Sequence, residues 1–420
     1  MRDFSDISWP AADFSRVPYA VFGDLDIFER EQERVFRGPV WCYLCLETEV
    51  SKPGDFKTVF VGDRSVVVNR ALDGSLYAFL NRCAHRGSTL VRENGGNRKD
   101  HTCIYHHWSY DLNGKLIGVP FQRGINGQGG MPSTFHKAQH GLKMLRVSSY
   151  RGVVFGTFSD HVEPLEDFLG APMLAFFDRM FAKPVEVLGY ARQRMPSNWK
   201  AYFENLTDPY HAGLLHQFQT TFGLFRQTQK GGTIMDDLRR HQIQYAHLDS
   251  DDLATVETAY RGTGVYNASL RLQDPSIVEY RTEEGDAGQA IYMMSLFPSV
   301  MFQRLSNSLA TRQIRPRNPD EFDLYWTFFG YADDDPAMRE MRLRQVNLVG
   351  PAGLISMEDG ESGVEVQRAI RRERHDHSVI EMGGVGDIVD QDHTVTEVPI
   401  RGFWRYYCQL MGFGPGKPQG

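Results

Sequence analysis

Four side chains in the stretch NRCAHRGSTLVRENGGNRKDHTCIYHHWSYDLNGKL, residues 81–116, have the types and spacing of metal ligands. Cys83 and His85 are separated by one residue, Cys103 and His106 by two, and 17 residues lie between the pairs. A second set, in NLTDPYHAGLLH, supplies Asp208, His211 and His216. Thiolate suits soft and borderline metals, whereas imidazole with a carboxylate suits a redox-active divalent ion. The two sets call for different metals.

Structural zinc favours C-x2-4-C and H-x3-5-H knuckles on a ββα unit. Here each knuckle mixes one Cys with one His. That mixture fits a Rieske [2Fe–2S] centre, in which two Cys hold one iron and two His the other. The two-residue spacing from Cys103 selects His106 as ligand and leaves His107 as a loop residue. Cys42 and Cys45 in VWCYLCLE stand three apart on a strand, so their thiols point to opposite faces. They read as buried hydrophobes, and Cys408, without a partner in sequence, as structural.

A one-electron centre alone leaves most of the chain unexplained. On a helix Asp208 and His211 share a face, but His216 lies about 140° further round an ideal helix. Bringing both imidazoles to one metal needs a bend, for which Pro209 offers a cause. A carboxylate would complete the 2-His-1-carboxylate triad of non-haem Fe(II) oxygenases, with positions open for O2. Asp208 is too close to His211 in sequence and serves better as an acceptor behind it. Asp359 in GPAGLISMEDGE is the best remote candidate, with Glu358 and Glu361 as rivals.

The elements that must position these groups change character along the chain. Residues 55–80 alternate β-branched and aromatic runs with GD and DG, the pattern of antiparallel hairpins. An all-β domain is expected over 38–157, in which QRGINGQGGMP is a surface loop. Residues 1–37 and 158–420 are expected to form a second, α+β domain, an antiparallel sheet covered by helices. NWKAYFENLTDPYHAGLLHQF reads as one long helix bent near Pro209. Another, over about 336–372, is broken at GPAG and EDGE. One strand, FQRLSNSLATRQI, places Arg304, Ser306, Ser308, Ala310 and Arg312 on one face. An arginine beside small residues there suits an anion.

With 420 residues, 41% hydrophobic and a net charge of −7, the chain has ample core and argues against nucleic-acid or anionic-membrane surfaces. Its first residues lack a signal-peptide pattern, so a cytoplasmic location with reduced thiols is expected. Sequons at Asn205 and Asn267 carry no meaning there.

On these motifs the chain resembles the large (α) subunit of Rieske non-haem iron ring-hydroxylating oxygenases, over nearly its whole length. The family's cluster motif falls on Cys83, His85, Cys103 and His106, its mononuclear iron motif on His211 and His216, and its carboxylate on Asp359. Its bridging aspartate falls on Asp208. That implies a link from an iron-ligating His to the cluster-ligating His of the next subunit in a trimer. The helix-grip type of catalytic domain is implied as well.

SRVPY, GVPFQRG, GGMP…HGLKMLRV, RQRMPSNWK and IRGFW are most similar to enzymes of benzoate-type carboxylates. The three-component anthranilate and ortho-halobenzoate dioxygenases look closest, with salicylate 5-hydroxylase and terephthalate dioxygenase as near relatives. Arg312 falls where terephthalate enzymes hold a carboxylate. His393 stands about where they have a second arginine, which favours one carboxylate over two. The resemblance implies anthranilate 1,2-dioxygenation to catechol with O2 and electrons from NADH. No nucleotide-binding or plant-type ferredoxin motif is present in the sequence. A separate NADH-dependent reductase and/or a ferredoxin is therefore expected, and the resemblance implies a small β subunit in an α3β3 assembly. Rival readings are a Rieske electron carrier without oxygenase activity and a zinc-stabilised binding protein.

Overall fold

A computed structural model describes residues 7, 9–248, 251–286 and 288–414. The chain forms two compact units, one of residues 36–165 and one joining residues up to 35 to those from 166 onward.

In the first unit, Asp55–Val61, Arg64–Arg70 and Leu76–Leu80 pair antiparallel. Val61 faces Arg64, so Gly62 and Asp63 form a two-residue turn with Gly62 at φ 56°, the hand that twisted hairpins need. Met144–Tyr150, Val153–Thr157, Cys42–Leu46 and Gly95–Asn97 complete a seven-stranded sheet. Asp100–Thr102, Ser109–Asp111 and Leu116–Gly118 form a smaller one. Cys42 and Cys45 lie buried and unbridged on their strand, and burial pushes the Cys42 thiol up to about 12. The glycine-rich stretch is a surface loop that turns at Asn126 and Gly127 (φ 51° and 76°).

The second unit is built on a seven-stranded antiparallel sheet. Its strands are β1 (Val185–Met195), β2 (Gly231–Met235), β3 (Gln242–Ala246), β4 (Ile291–Leu296), β5 (Val300–Leu305), β6 (Ser308–Asn318) and β7 (Glu321–Tyr331). The spatial order is β1-β7-β6-β5-β4-β3-β2. FQRLSNSLATRQI is therefore not one strand but the β5–β6 hairpin, turning at Ser306 (φ 53°) and Asn307.

The expected long helix is three short ones: α1 (Trp199–Thr207), α2 (Pro209–Leu215) and α3 (Gln217–Phe222). α1 is pinned by Glu31, which pairs with Lys200 at 2.6 Å and accepts from Trp199 Nε1 and Tyr407 Oη. Further on, α4 (Pro336–Val349) ends at GPAG as expected. α5 (Leu354–Ile370) runs unbroken through EDGE, contrary to expectation. α1 packs on α5 and against β4 and β6, which brings residues distant in sequence onto one side of the sheet. Among the described residues no helix is long and apolar enough to cross a membrane.

Candidate active site and metal centres

The two Cys/His loops are local copies of each other. Cys83 N donates to Ser88 O (2.8 Å) and Gly87 N to Cys83 O (3.0 Å). Cys103 N donates to Trp108 O and His107 N to Cys103 O, both at 2.9 Å. Gly87 and His107 therefore occupy equivalent places, and both have positive φ, 77° and 54°. His107 stands where its sister loop uses glycine, with its side chain exposed.

Phe56, Phe79, Trp108 and Tyr110 pack with both cysteines in one buried cluster, which anchors the loops. The His85 and His106 rings lie 4.5 Å apart, and Trp108 stacks on His85 at 4.6 Å. Tyr110 Oη lies 3.3 Å from Cys83 Sγ and accepts from Ala84 N. Burial, with His106 and Arg86 nearby, depresses the His85 imidazole's affinity for a proton. Its Nδ1 is buried without a hydrogen-bond partner. A neutral imidazole with an unspent nitrogen is what an iron ligand requires, so the residues fit a cluster.

In the second unit a backbone event builds the site. Asp208 is extended (φ −105°, ψ 99°), as a residue before proline prefers, and ends α1. Its Oδ1 then caps α2, accepting from Tyr210 N (2.8 Å) and His211 N (3.3 Å), while Pro209 takes the first helical position. Pro209 precedes both histidines and cannot bend the chain between them. The bend is at His216 itself, whose φ −92° and ψ 82° separate α2 from α3.

His211, His216 and Asp359 come together with one ligand atom each, all within 4.8 Å of one another. Asp359 Oδ1 lies 3.4 Å from His211 Nε2 and 3.2 Å from His216 Nε2. This is the one such single-ion group among the described residues. Cys83, His85, Cys103 and His106 form no such single-ion group, and ligands divided between two irons need not.

The rivals of Asp359 separate cleanly. Glu358 Oε2 accepts from His216 Nδ1 at 2.7 Å, which fixes the tautomer and directs Nε2 at Asp359. Glu361 is exposed. Asp208 Oδ2 lies 3.5 Å from His211 Nδ1, the place of an acceptor behind the ring. Burial opposes charge on His211, but Asp208 and Asp359 outweigh it and raise its pKa to about 10. His216 is raised too, against burial, by Asp359 and Glu358. Asp359, despite its own burial, is held far below the usual carboxylate range by the two imidazoles. Two imidazoles that hold protons against burial and a carboxylate kept ionised beside them offer a cation a ready partner set, so this site also fits its metal.

Asn205 was missed in the sequence except as a sequon. Its Nδ2 donates to Asp359 Oδ1 and lies as close to His211 Nε2, both at 3.1 Å. Its place three residues before Asp208 was the available signal.

Opposed residues on antiparallel strands point to the same side. Met301, Arg312 and Trp326 form one such row, with Met293, Gln303 and Ala310 forming a row beside it. Arg304 pairs with Leu309, so it points to the other face, where it donates to Tyr331 Oη at 3.1 Å. The shared face expected for Arg304 and Arg312 fails because the chain reverses between them. Arg312 is 3% exposed and lines a cavity together with His211, His216 and Asp359. Phe225, Ile291, Met293, Met301 and Leu305 make its apolar wall. It offers about 40 Å³ to the centres of water-sized molecules, room for roughly three waters. His393 is exposed and absent from the wall.

Family models match in both units: the Rieske [2Fe-2S] domain over residues 40–133 and the catalytic domain of ring-hydroxylating alpha subunits over residues 183–412. The chain belongs to the Rieske ring-hydroxylating oxygenases. It is a terminal oxygenase α subunit and an oxidoreductase, and its cofactors are a Rieske [2Fe–2S] cluster and a mononuclear iron. It is 49% identical over 414 residues to the anthranilate 1,2-dioxygenase large subunit of Burkholderia cepacia, covering 98% of this chain and 97% of that one. With subunit alpha 2 of the terminal oxygenase component of terephthalate 1,2-dioxygenase from Comamonas sp it shares 45% over 410 residues, 97% of this chain and 98% of that one. A naphthalene 1,2-dioxygenase structure with indole bound has the same fold, at TM-score 0.78 and 23% identity over 97% of this chain and 94% of that one.

Proposed function

We propose that this subunit hydroxylates an ortho-substituted benzoate, with anthranilate as substrate and catechol, CO2 and ammonia as products. The observation that carries the proposal is Arg312: a buried guanidinium with no carboxylate partner among the described residues, on the wall that also presents His211, His216 and Asp359. A buried cation is costly unless paired, and a ring carboxylate supplies the partner. Arg312 is the one cationic side chain other than histidine on that wall, which supports one carboxylate rather than two. The similarity to an anthranilate dioxygenase large subunit points the same way.

In this reading Cys83, His85, Cys103 and His106 hold the cluster, and His211, His216 and Asp359 hold the mononuclear iron. When bound, that iron supplies the redox centre for O2, with coordination positions left open by the triad. The chain's own groups orient and protect. Glu358 fixes His216, Asp208 stands behind His211 and links it to the cluster of a neighbouring subunit, and the apolar wall excludes water from the ring. The diol formed at ring carbons 1 and 2 loses CO2 and ammonia. A cytoplasmic α3β3 assembly with a small β subunit, served by a ferredoxin and an NADH-dependent reductase, completes the system.

Turnover of anthranilate, salicylate, 2-chlorobenzoate and terephthalate with a compatible reductase tests the substrate. Anthranilate leading with catechol as product is expected. Equal or better turnover of terephthalate overturns the single-carboxylate reading, and a 5-hydroxylated product from salicylate as the best reaction replaces it with a monooxygenase.

A further inference from the structure

Arg312 is held by neutral groups alone. Its Nε donates to Gln303 Oε1, its guanidinium lies 4.5 Å from the Trp326 ring centre, and Nη1 donates to Tyr202 Oη at 3.5 Å. The ladder explains the contact. Gln303 faces Ala310 across β5 and β6, two residues from Arg312 on the same side of the sheet. The small alanine leaves the amide free to lean diagonally onto the guanidinium. An arginine Nε can only donate, so the amide must present its oxygen. The Nε2 of Gln303, in a side chain with 0% exposure, is then left buried without a partner. A glutamate here would make the same contact with the same shape and would neutralise the cation. The chain uses the amide, although that leaves a buried donor unmet.

We propose that Gln303 is a positioning residue that aims the Arg312 fork while leaving its charge uncompensated, and so sets the cavity's preference for an anionic ring. This rests on the reading of Arg312 as the carboxylate partner. Before substrate arrives, Arg312 is fixed on one edge by Gln303 and on one face by Trp326. Its remaining donors are thereby aimed with little freedom to lose on binding.

Calorimetric titration of the iron-loaded oxygenase with anthranilate and with aniline, the neutral amino-substituted ring lacking the carboxylate, tests this. Gln303→Glu is expected to weaken anthranilate binding by at least about tenfold while aniline binding stays within about twofold. Gln303→Met keeps the charge but frees the fork, and is expected to raise KM for anthranilate several-fold with kcat nearly unchanged. Native anthranilate affinity in Gln303→Glu, alongside a loss in Arg312→Ala, overturns the role of Gln303 and leaves that of Arg312 standing. No loss in Arg312→Ala overturns the carboxylate reading, and this inference with it. Equal weakening of both ligands in Gln303→Glu shows a structural role only and also overturns it.

Discussion

The two metal regions are built by different means. Around the cluster, each ligand loop is closed by its own backbone hydrogen bonds within six residues, and the two loops repeat one pattern. Around the triad, His211 lies within α2, His216 sits at the break after it and the third ligand arrives on α5, with Glu358 bracing His216 from 142 residues away in sequence. Local closure makes a ligand set robust to what surrounds it. Long-range assembly makes a site whose metal affinity depends on packing and on protons. It also leaves coordination positions and a cavity for substrate.

The largest contrast is expected within one loop. His106→Ala should abolish the visible cluster spectrum, whereas His107→Gly should preserve it and change unfolding stability by no more than about 1 kcal/mol, since glycine suits the left-handed backbone there. Cluster loss in His107→Gly would break the equivalence of the loops.

Protons sharpen the comparison next. His211 is raised to about 10 and His216 is raised as well, so in the iron-free protein both must be deprotonated to bind metal. Fe(II) affinity of protein depleted only of its mononuclear iron should rise by about tenfold per pH unit through displacement of the His211 proton, from neutrality until pH passes about 10, with His216 adding in the same direction. The His211 proton stabilises the iron-free fold fully below about 6.5, and that contribution is lost as pH rises through about 10. A flat affinity profile would contradict the triad's electrostatics. The cluster should show no such dependence through His85, whose pKa is lowered.

Removing the long-range brace comes third. Glu358→Ala should cost about 10- to 100-fold in affinity at the mononuclear iron and leave the cluster spectrum intact. The smallest effect is expected at Tyr110. Tyr110→Phe removes a hydroxyl from Cys83 Sγ, and hydrogen bonds to sulfur help set cluster potential. The oxidised-to-reduced ratio at fixed poise should rise by about threefold or more, read by redox titration with the electron spin resonance signal retained. An unchanged potential would remove Tyr110 from the cluster's environment.

The same division explains what was legible in the sequence. The two Cys/His spacings are contiguous and sit among hairpins marked by GD and DG, so the all-β character followed from local pattern. The triad's partners followed in part. Asp359 was nominated, but the separation of Glu358 from it depends on how α5 meets α2 and α3, which no local pattern encodes. The break at His216 has no proline or glycine signal, and Pro209 drew attention to the wrong bond. The β5–β6 hairpin was missed although SN inside RLSNSLA is a turn signal. Strong β propensity on both sides masked it, and Arg304 was assigned to the wrong face as a result. Asn205 and Gln303 gained meaning only from neighbours that the fold brings to them.

The central claim is that one chain holds three irons, two in the loops and one in the triad. Iron per chain, counted together with the visible spectrum, tests it most directly in the native protein and in Asp359→Ala. Three irons in the native protein, falling to two in Asp359→Ala with the red-brown cluster spectrum intact, is the expected result. Two irons in the native protein, or three retained in Asp359→Ala, would contradict it.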